Sequence, residues 1–165
     1  MDKIIKNLYL GNIKDGQNCL LEGGYAVLSV GEEFNEFGGE DGVVRIPLRN
    51  PTDCDWKNIP MWDKTGDEIL NWLEVGMKFI SSHIKEKPVI VHCMAGKSRS
   101  VSFIWAYLMS CGCEPVYAYR IIKKARPIAE PHFGFLKSIL GWFGFDKVQT
   151  DDIIENIKEI NKNGG

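Results

Sequence analysis

Val89-Ile90-Val91-His92-Cys93-Met94-Ala95-Gly96-Lys97-Ser98-Arg99-Ser100, continued by Val101-Ser102-Phe103-Ile104-Trp105-Ala106-Tyr107-Leu108-Met109, is the stretch on which the fold turns. Val89 to Val91 are all apolar and β-branched, as in a strand buried on both faces of a sheet. Ala95, Gly96 and Ser98 are small enough for a tight loop. Val101 to Met109 is apolar with little alternation and predicts a helix buried on most sides, ending at Gly112. A loop at the carboxyl end of a central strand is where open α/β sheets place ligands.

The residues of that loop suggest what the ligand is. A tight loop of small residues turns successive backbone N–H groups inward as an anion nest, and the helix that follows adds its own free N–H groups and positive dipole end. A cysteine facing such a nest is favoured as the thiolate. Arg99 supplies a planar fork for two oxygens of a tetrahedral oxyanion. Met94, Ala95, Gly96, Lys97, Ser98 and Arg99 would then form a phosphate-binding loop with Cys93 at its floor. Taken alone, Cys93 reads as a small buried hydrophobe and Arg99 as a solvated charge; it is their joint spacing that carries the inference.

Outward from this centre, strands and helices alternate, which predicts an α/β sheet covered on both faces. Leu8-Tyr9-Leu10 reads as an edge strand, Cys19 to Glu22 as a helical turn and Tyr25 to Val30 as a buried strand. Gly31 to Gly42 reads as a polar loop, and Val43 to Leu48 as a further strand. Arg49 to Asp63 shows no regular pattern. Thr65-Gly66-Asp67-Glu68 matches a capping box, followed by one amphipathic helix on Ile69, Trp72, Leu73, Gly76, Met77 and Ile80. Helices are also expected from Pro115 to Lys124, from Pro131 to Phe143 and from a Thr150 cap onward. The last carries Ile153, Ile154, Ile157 and Ile160 on one face, to be docked on the body or on a partner.

Composition bounds the remaining choices. The chain has 165 residues, 44% of them hydrophobic, with 20 basic and 22 acidic side chains and a net charge of −2. That balance argues against nucleic-acid or membrane-surface binding as the main task. No run is long enough to span a bilayer, and Met1 to Lys6 lacks the apolar core of a signal peptide. Cys19, Cys54, Cys93, Cys111 and Cys113 are an odd, scattered set, expected as free thiols in a reducing cytoplasmic or nuclear compartment. His83, His92 and His132 fall at no metal-ligand spacing, so no metal or other cofactor is expected.

His92-Cys93-Met94-Ala95-Gly96-Lys97-Ser98-Arg99-Ser100 resembles the HCxxGxSRS signature of cysteine-dependent phosphatases, and more narrowly of their dual-specificity branch. Leu8 to Gly11, Tyr25 to Val30 and Ala106 to Met109 are similar to other parts of that branch. So is Arg126-Pro127-Ile128 with Pro131-His132-Phe133-Gly134-Phe135-Leu136, where His132 stands in place of the usual Asn. The resemblance covers residues 3–143. It implies a catalytic domain over 1–143, an extension over 144–165, and a protein tyrosine phosphatase-like fold. Such a fold has three layers, its central mixed and mostly parallel sheet of about five strands flanked by helices.

The resemblance also implies roles. Cys93 attacks phosphorus and forms a phosphocysteine, Arg99 binds the phosphate, Ser100 assists the second step, and His92 tunes the thiolate and braces the loop. An upstream aspartate serves as general acid. Asp53, Asp55, Asp63 and Asp67 are the candidates, and Asp63 is favoured by its place before the helix and its distance to Phe79-Ile80. Asp55 remains the alternative. Lys97 belongs to the solvent or the pocket rim. Trp56 and Trp62 are assigned to the pocket mouth or the acid loop, and Lys123, Lys124 and Arg126 to a solvated basic face. The implied substrate is a phosphoprotein, on Tyr and on Ser or Thr. The readings left open are a phosphoinositide or RNA 5′-phosphatase of the same chemistry, and a non-catalytic phosphate-recognition module.

Overall fold

The computed structural model describes residues 1–32, 34–35, 44–45, 55–64 and 66–164, with backbone alone at 34–35 and 44–45. Its main sheet comprises β1 (Asp2–Ile5), β2 (Leu8–Gly11), β3 (Ala26–Val30), β6 (Asp55–Ile59) and β7 (Val89–His92), in the order β1-β2-β7-β3-β6. Only β1 runs antiparallel; β2, β7, β3 and β6 are mutually parallel. β4 (Phe34–Asn35) and β5 (Val44–Arg45) pair separately. The helices are α1 (Ile13–Glu22), α2 (Leu73–His83), α3 (Arg99–Ser110), α4 (Pro115–Ala125), α5 (Phe133–Trp142) and α6 (Lys147–Lys162).

Strand periodicity sorts the core into two layers. Val27 and Ile90 face α1 and pack with Cys19 and Leu20. Leu10, Leu28 and Val91 face the other way, into the larger core shared with Phe103, Ile104 and Ile122. The expected three-layer α/β fold with a mostly parallel five-stranded sheet is therefore the observed one.

Several element boundaries differ from expectation. Leu8–Gly11 is interior, because the more polar Asp2–Ile5 takes the edge, where charge discourages further pairing. The turn at Cys19 belongs to a full helix, α1, started by an Asn12–Asp15 capping box. Within the seemingly irregular Arg49 to Asp63, Asp55–Ile59 is the other edge strand. Of its residues only Ile59 is buried, so it shows little of the apolar pattern that marks an interior strand. Of Val43 to Leu48, the described Val44–Arg45 pairs with β4 outside the main sheet, and the remainder lies outside the described residues, as do Asp53 and most of Gly31 to Gly42. Thr65 also lies outside them. The single helix expected to follow it is divided into a 3-10 segment, Asp67–Asn71, and α2. An i, i+3 repeat keeps Ile69 and Trp72 in line through either geometry, so the stripe alone does not separate the two.

α6 starts three residues before the expected cap, because Asp146 and Gln149 form the capping box there. Ile153, Ile154 and Ile157 are buried, and the helix packs on α4 and α5. Tyr119 ties α4 to α6: its hydroxyl lies 2.7 Å from Asn161 Oδ1 and 3.1 Å from the Ala129 carbonyl. Burial pushes that hydroxyl up to about 12, so it remains a donor. Ile157→Ala is expected to cost about 2–5 kcal/mol, read as a lowered denaturation midpoint, through lost burial and the cavity left behind. Among the described residues no helix is long and apolar enough to cross a membrane.

Candidate active site

β7 delivers the loop and α3 receives it. Cys93 follows the last strand residue, is 3% exposed, and places Sγ 3.1 Å from Ser100 Oγ in the first turn of α3. Arg99, the first residue of that helix, is buried and donates from Nη1 to the Met61 carbonyl at 3.2 Å. Its guanidinium thereby ties the phosphate loop to the segment that carries Asp63.

Every carbonyl from Cys93 to Ser98 has a donor within reach. His92 Nδ1 lies 3.3 Å from Cys93 O. Ile13 N–H donates to Met94 O at 3.1 Å and Glu130 N–H to Lys97 O at 2.8 Å. Arg126 donates from Nη2 to Ala95 O at 2.9 Å and from Nε to Gly96 O at 2.6 Å. Ser98 O receives both the amide and the hydroxyl of Ser102 at 3.0 Å. In a planar trans peptide the C=O of one residue and the N–H of the next point in opposite directions. Holding these carbonyls outward therefore turns the following amides into the loop. Among the described residues, the amides of Met94, Ala95, Gly96, Lys97 and Ser98 have no acceptor. Five donors converging beside a cysteine and an arginine form an anion cradle.

Gly96 is required by its own geometry. Its φ is +64°, and an added Cβ would lie 2.4 Å from Gly11 O and 2.6 Å from Arg126 Nη2. Arg126 is not a solvated charge. It is 8% exposed, and its third arm pairs with Asp2 at 2.6 Å. Lys123 is buried as well, on the Ala129 carbonyl at 2.8 Å, so the expected basic face is mostly internal. Arg126→Ala is expected to weaken inhibition by inorganic phosphate about tenfold and to cost about 2–4 kcal/mol of stability, since it releases two loop carbonyls and leaves Asp2 unpaired.

The three aspartate candidates within the described residues separate clearly. Asp55 pairs with Ala26 at the start of β3, level with Val89 at the start of β7, so it sits at the end of the sheet remote from the loop. A hydrogen bond from the Lys87 ammonium holds its carboxyl below the usual carboxylate range. Asp63 instead follows the carboxyl end of β6 and borders a cleft of about 400 Å³ together with Trp62, Met94 and Arg99. A second cleft of about 340 Å³, with Lys97, Ser98 and His132, meets the first at Asp63. His132 Nε2 lies 3.3 Å from Asp63 Oδ1, and the His132 amide donates to Ser98 Oγ at 3.2 Å. Asp67 accepts from Ser138 and stands apart from both clefts.

Trp62 lies at the mouth, 49% exposed, whereas Trp56 belongs to β6. Lys97 is on the rim, paired with Glu130 at 3.2 Å. The loop, its cysteine and its arginine thus meet where the sheet topology puts a ligand, with Asp63 at the entrance.

The family model described as the dual specificity phosphatase catalytic domain matches residues 8–144. The chain belongs to this family. Mouse dual specificity protein phosphatase 8 is 32% identical over 147 residues, covering 85% of this chain and 20% of that protein. Dual specificity protein phosphatase 1 of Arabidopsis thaliana is 33% identical over 140 residues, covering 82% of this chain and 65% of that protein. The chain spans about a fifth of the length of the first of these curated relatives. Among solved structures, human DUSP28 superposes with a TM-score of 0.67 at 23% identity, covering 86% of this chain and 90% of the other. DUSP15 gives 0.67 at 26% identity, with coverages of 96% and 95%. In this dual specificity phosphatase domain the family match ends at residue 144, so α6 lies beyond it.

Sequence reasoning placed Cys93, Arg99, Ser100 and Asp63 in one region, and the structure brings them together. It missed Arg126, whose burial depends on tertiary packing, and it missed what surrounds His92.

Proposed function

We propose that the chain is a cysteine-dependent protein phosphatase acting on phosphotyrosine foremost and on phosphoserine and phosphothreonine. Residues 1–143 form the catalytic domain and 144–165 an extension. One observation carries the reading: the loop carbonyls are held outward, so five amides and Arg99 face an oxyanion placed over the Cys93 sulfur.

The chemistry follows from that placement. Cys93 Sγ, as thiolate, attacks phosphorus while the bond to the leaving oxygen breaks, and Asp63 gives that oxygen its proton. The amides and Arg99 stabilise charge on the non-bridging oxygens. Asp63 then takes a proton from water, the resulting hydroxide attacks phosphorus, and the P–S bond breaks to release inorganic phosphate. The Ser100 hydroxyl, 3.1 Å from Sγ, donates to the departing thiolate. His92 supports the Cys93 carbonyl and acts neither as acid nor as base.

A phosphoprotein is favoured over a lipid or RNA 5′-phosphate because Lys97 on the rim is already matched by Glu130, and Lys64 lies over the Trp62 ring. Free thiols at Cys19, Cys93, Cys111 and Cys113 fit a cytoplasmic or nuclear setting. The test is turnover on phosphotyrosyl peptides, phosphothreonyl peptides, phosphoinositides and 5′-phosphorylated RNA. Highest kcat/KM on the peptides supports the reading, and preference for lipid or RNA overturns it.

A further inference from the structure

β3, Ala26–Val30, is a buried apolar strand with one hydroxyl, Ser29. A polar group inside a fully buried strand needs a hydrogen-bond partner. Register supplies it. Ser29 stands opposite His92 in β7, and Trp56 stands opposite Val27, two residues earlier on the same face of β3. Period-two geometry therefore directs Trp56, Ser29 and His92 together, toward α1. Ser29 Oγ lies 2.6 Å from His92 Nε2 and accepts from Trp56 Nε1 at 2.9 Å. Both Ser29 and His92 are fully buried. Gly16 of α1 leaves room for the ring, since a Cβ there would come within 2.3 Å of His92 Cδ2.

Counting hydrogens fixes the direction of the chain. An indole nitrogen only donates, and a carbonyl only accepts. With Trp56 Nε1–H on Ser29 Oγ, the serine hydroxyl is left to donate, and His92 Nε2 receives it. The imidazole then carries its hydrogen on Nδ1, the atom that faces Cys93 O. In a protonated His92, Nε2–H and Trp56 Nε1–H would both point at Ser29 Oγ. The hydroxyl hydrogen would then lack an acceptor among the described residues. Each donor thus has a use only when the ring is neutral and its hydrogen is on Nδ1.

We propose that Ser29 and Trp56 are positioning residues for the phosphate loop: through His92 they hold the Cys93 carbonyl outward and so turn the Met94 amide toward the oxyanion. The assignment of a catalytic purpose rests on the phosphatase reading, whereas the hydrogen-bond chain does not.

Without the Ser29 hydroxyl, the hydrogen bond that it gives His92 Nε2 is lost, and the ring hydrogen is no longer held on Nδ1 by that bond, which weakens the support of Cys93 O. Ser29→Ala is expected to slow iodoacetate alkylation of Cys93 at pH 6 about tenfold. It should lower kcat for an aryl phosphate by a similar factor with KM nearly unchanged, the scale of one buried hydrogen bond. Ser29→Thr, which keeps the hydroxyl, should stay within about twofold of the parent. Trp56→Phe should fall between them.

Nitrogen-15 NMR of the parent protein should show neutral His92 with hydrogen on Nδ1. The hydrogen on Nε2 in the parent would overturn the proposal even if Ser29→Ala fails to fold. So would Ser29→Ala with alkylation and kcat at parental values. A parent protein that hydrolyses no phosphate ester would end the phosphatase reading instead, and NMR and alkylation would still decide the relay.

Discussion

Cys93→Ser is expected to abolish turnover, with kcat falling on the order of 10⁴-fold or more, while phosphate or tungstate still binds within a few-fold of the parent affinity. The two halves of this result have separate causes. Affinity for the anion comes from the amides of Met94 to Ser98 and from Arg99. Their orientation depends on His92, Ile13, Arg126 and Glu130 rather than on sulfur. Turnover requires an ionised nucleophile, and a thiol ionises far more readily than a serine hydroxyl that has no adjacent base. Among the described residues no base competes for the post: the side-chain hydrogen-bond partner of Sγ is the Ser100 hydroxyl, and the His92 ring is engaged with Ser29 and the Cys93 carbonyl. Acid quench of the parent enzyme during turnover should recover phosphate covalently bound to Cys93. Residual activity of Cys93→Ser within about tenfold of the parent would remove Cys93 as the nucleophile.

The most legible parts of the sequence were those whose environment is uniform. Val89 to Met109 announced itself because an all-apolar strand and an all-round apolar helix have few other uses, and the small residues between them mark a turn. Asp55–Ile59 was hidden because an edge strand is half solvated; Asp, Trp, Lys, Asn and Ile have no period-two signature there. Arg126 was misread for a related reason. Sequence shows a charge next to two lysines but not that β1 and the loop close over it. Ser29, by contrast, left a usable trace. A lone hydroxyl in a strand buried on both faces implies a partner, and Gly16 inside a helix implies something pressed against it. Neither clue names His92 without the register of β3 against β7. Asp63 was favoured over Asp55 by its place just before the capping box and by the distance to Phe79-Ile80 that the family resemblance implies. The physical reason for that order is strand direction, which carries Asp55 to the end of the sheet away from Cys93.

Strand direction also sets the largest effect expected outside the loop. Asp63→Asn should reduce kcat/KM on the order of 10²- to 10³-fold for phosphate esters with poor leaving groups. It should reduce it less than about tenfold for an aryl phosphate whose leaving group departs without a proton. A general acid matters in proportion to the basicity of the oxygen it protonates, so the selectivity between leaving groups identifies the role where a plain loss of rate would not. The contact of His132 Nε2 with one carboxylate oxygen, 3.3 Å away, leaves the other to meet the leaving oxygen between the two clefts. Asp55→Asn is the control. It removes a half-exposed ion pair with Lys87, worth at most about 1 kcal/mol, and should leave both classes of substrate turning over at the parental rate. The reverse pattern, with leaving-group sensitivity in Asp55→Asn and none in Asp63→Asn, would require β6 to run with its other end toward Cys93. That arrangement is incompatible with the parallel pairing of Ala26 to Asp55 and of Ala26 to Val89.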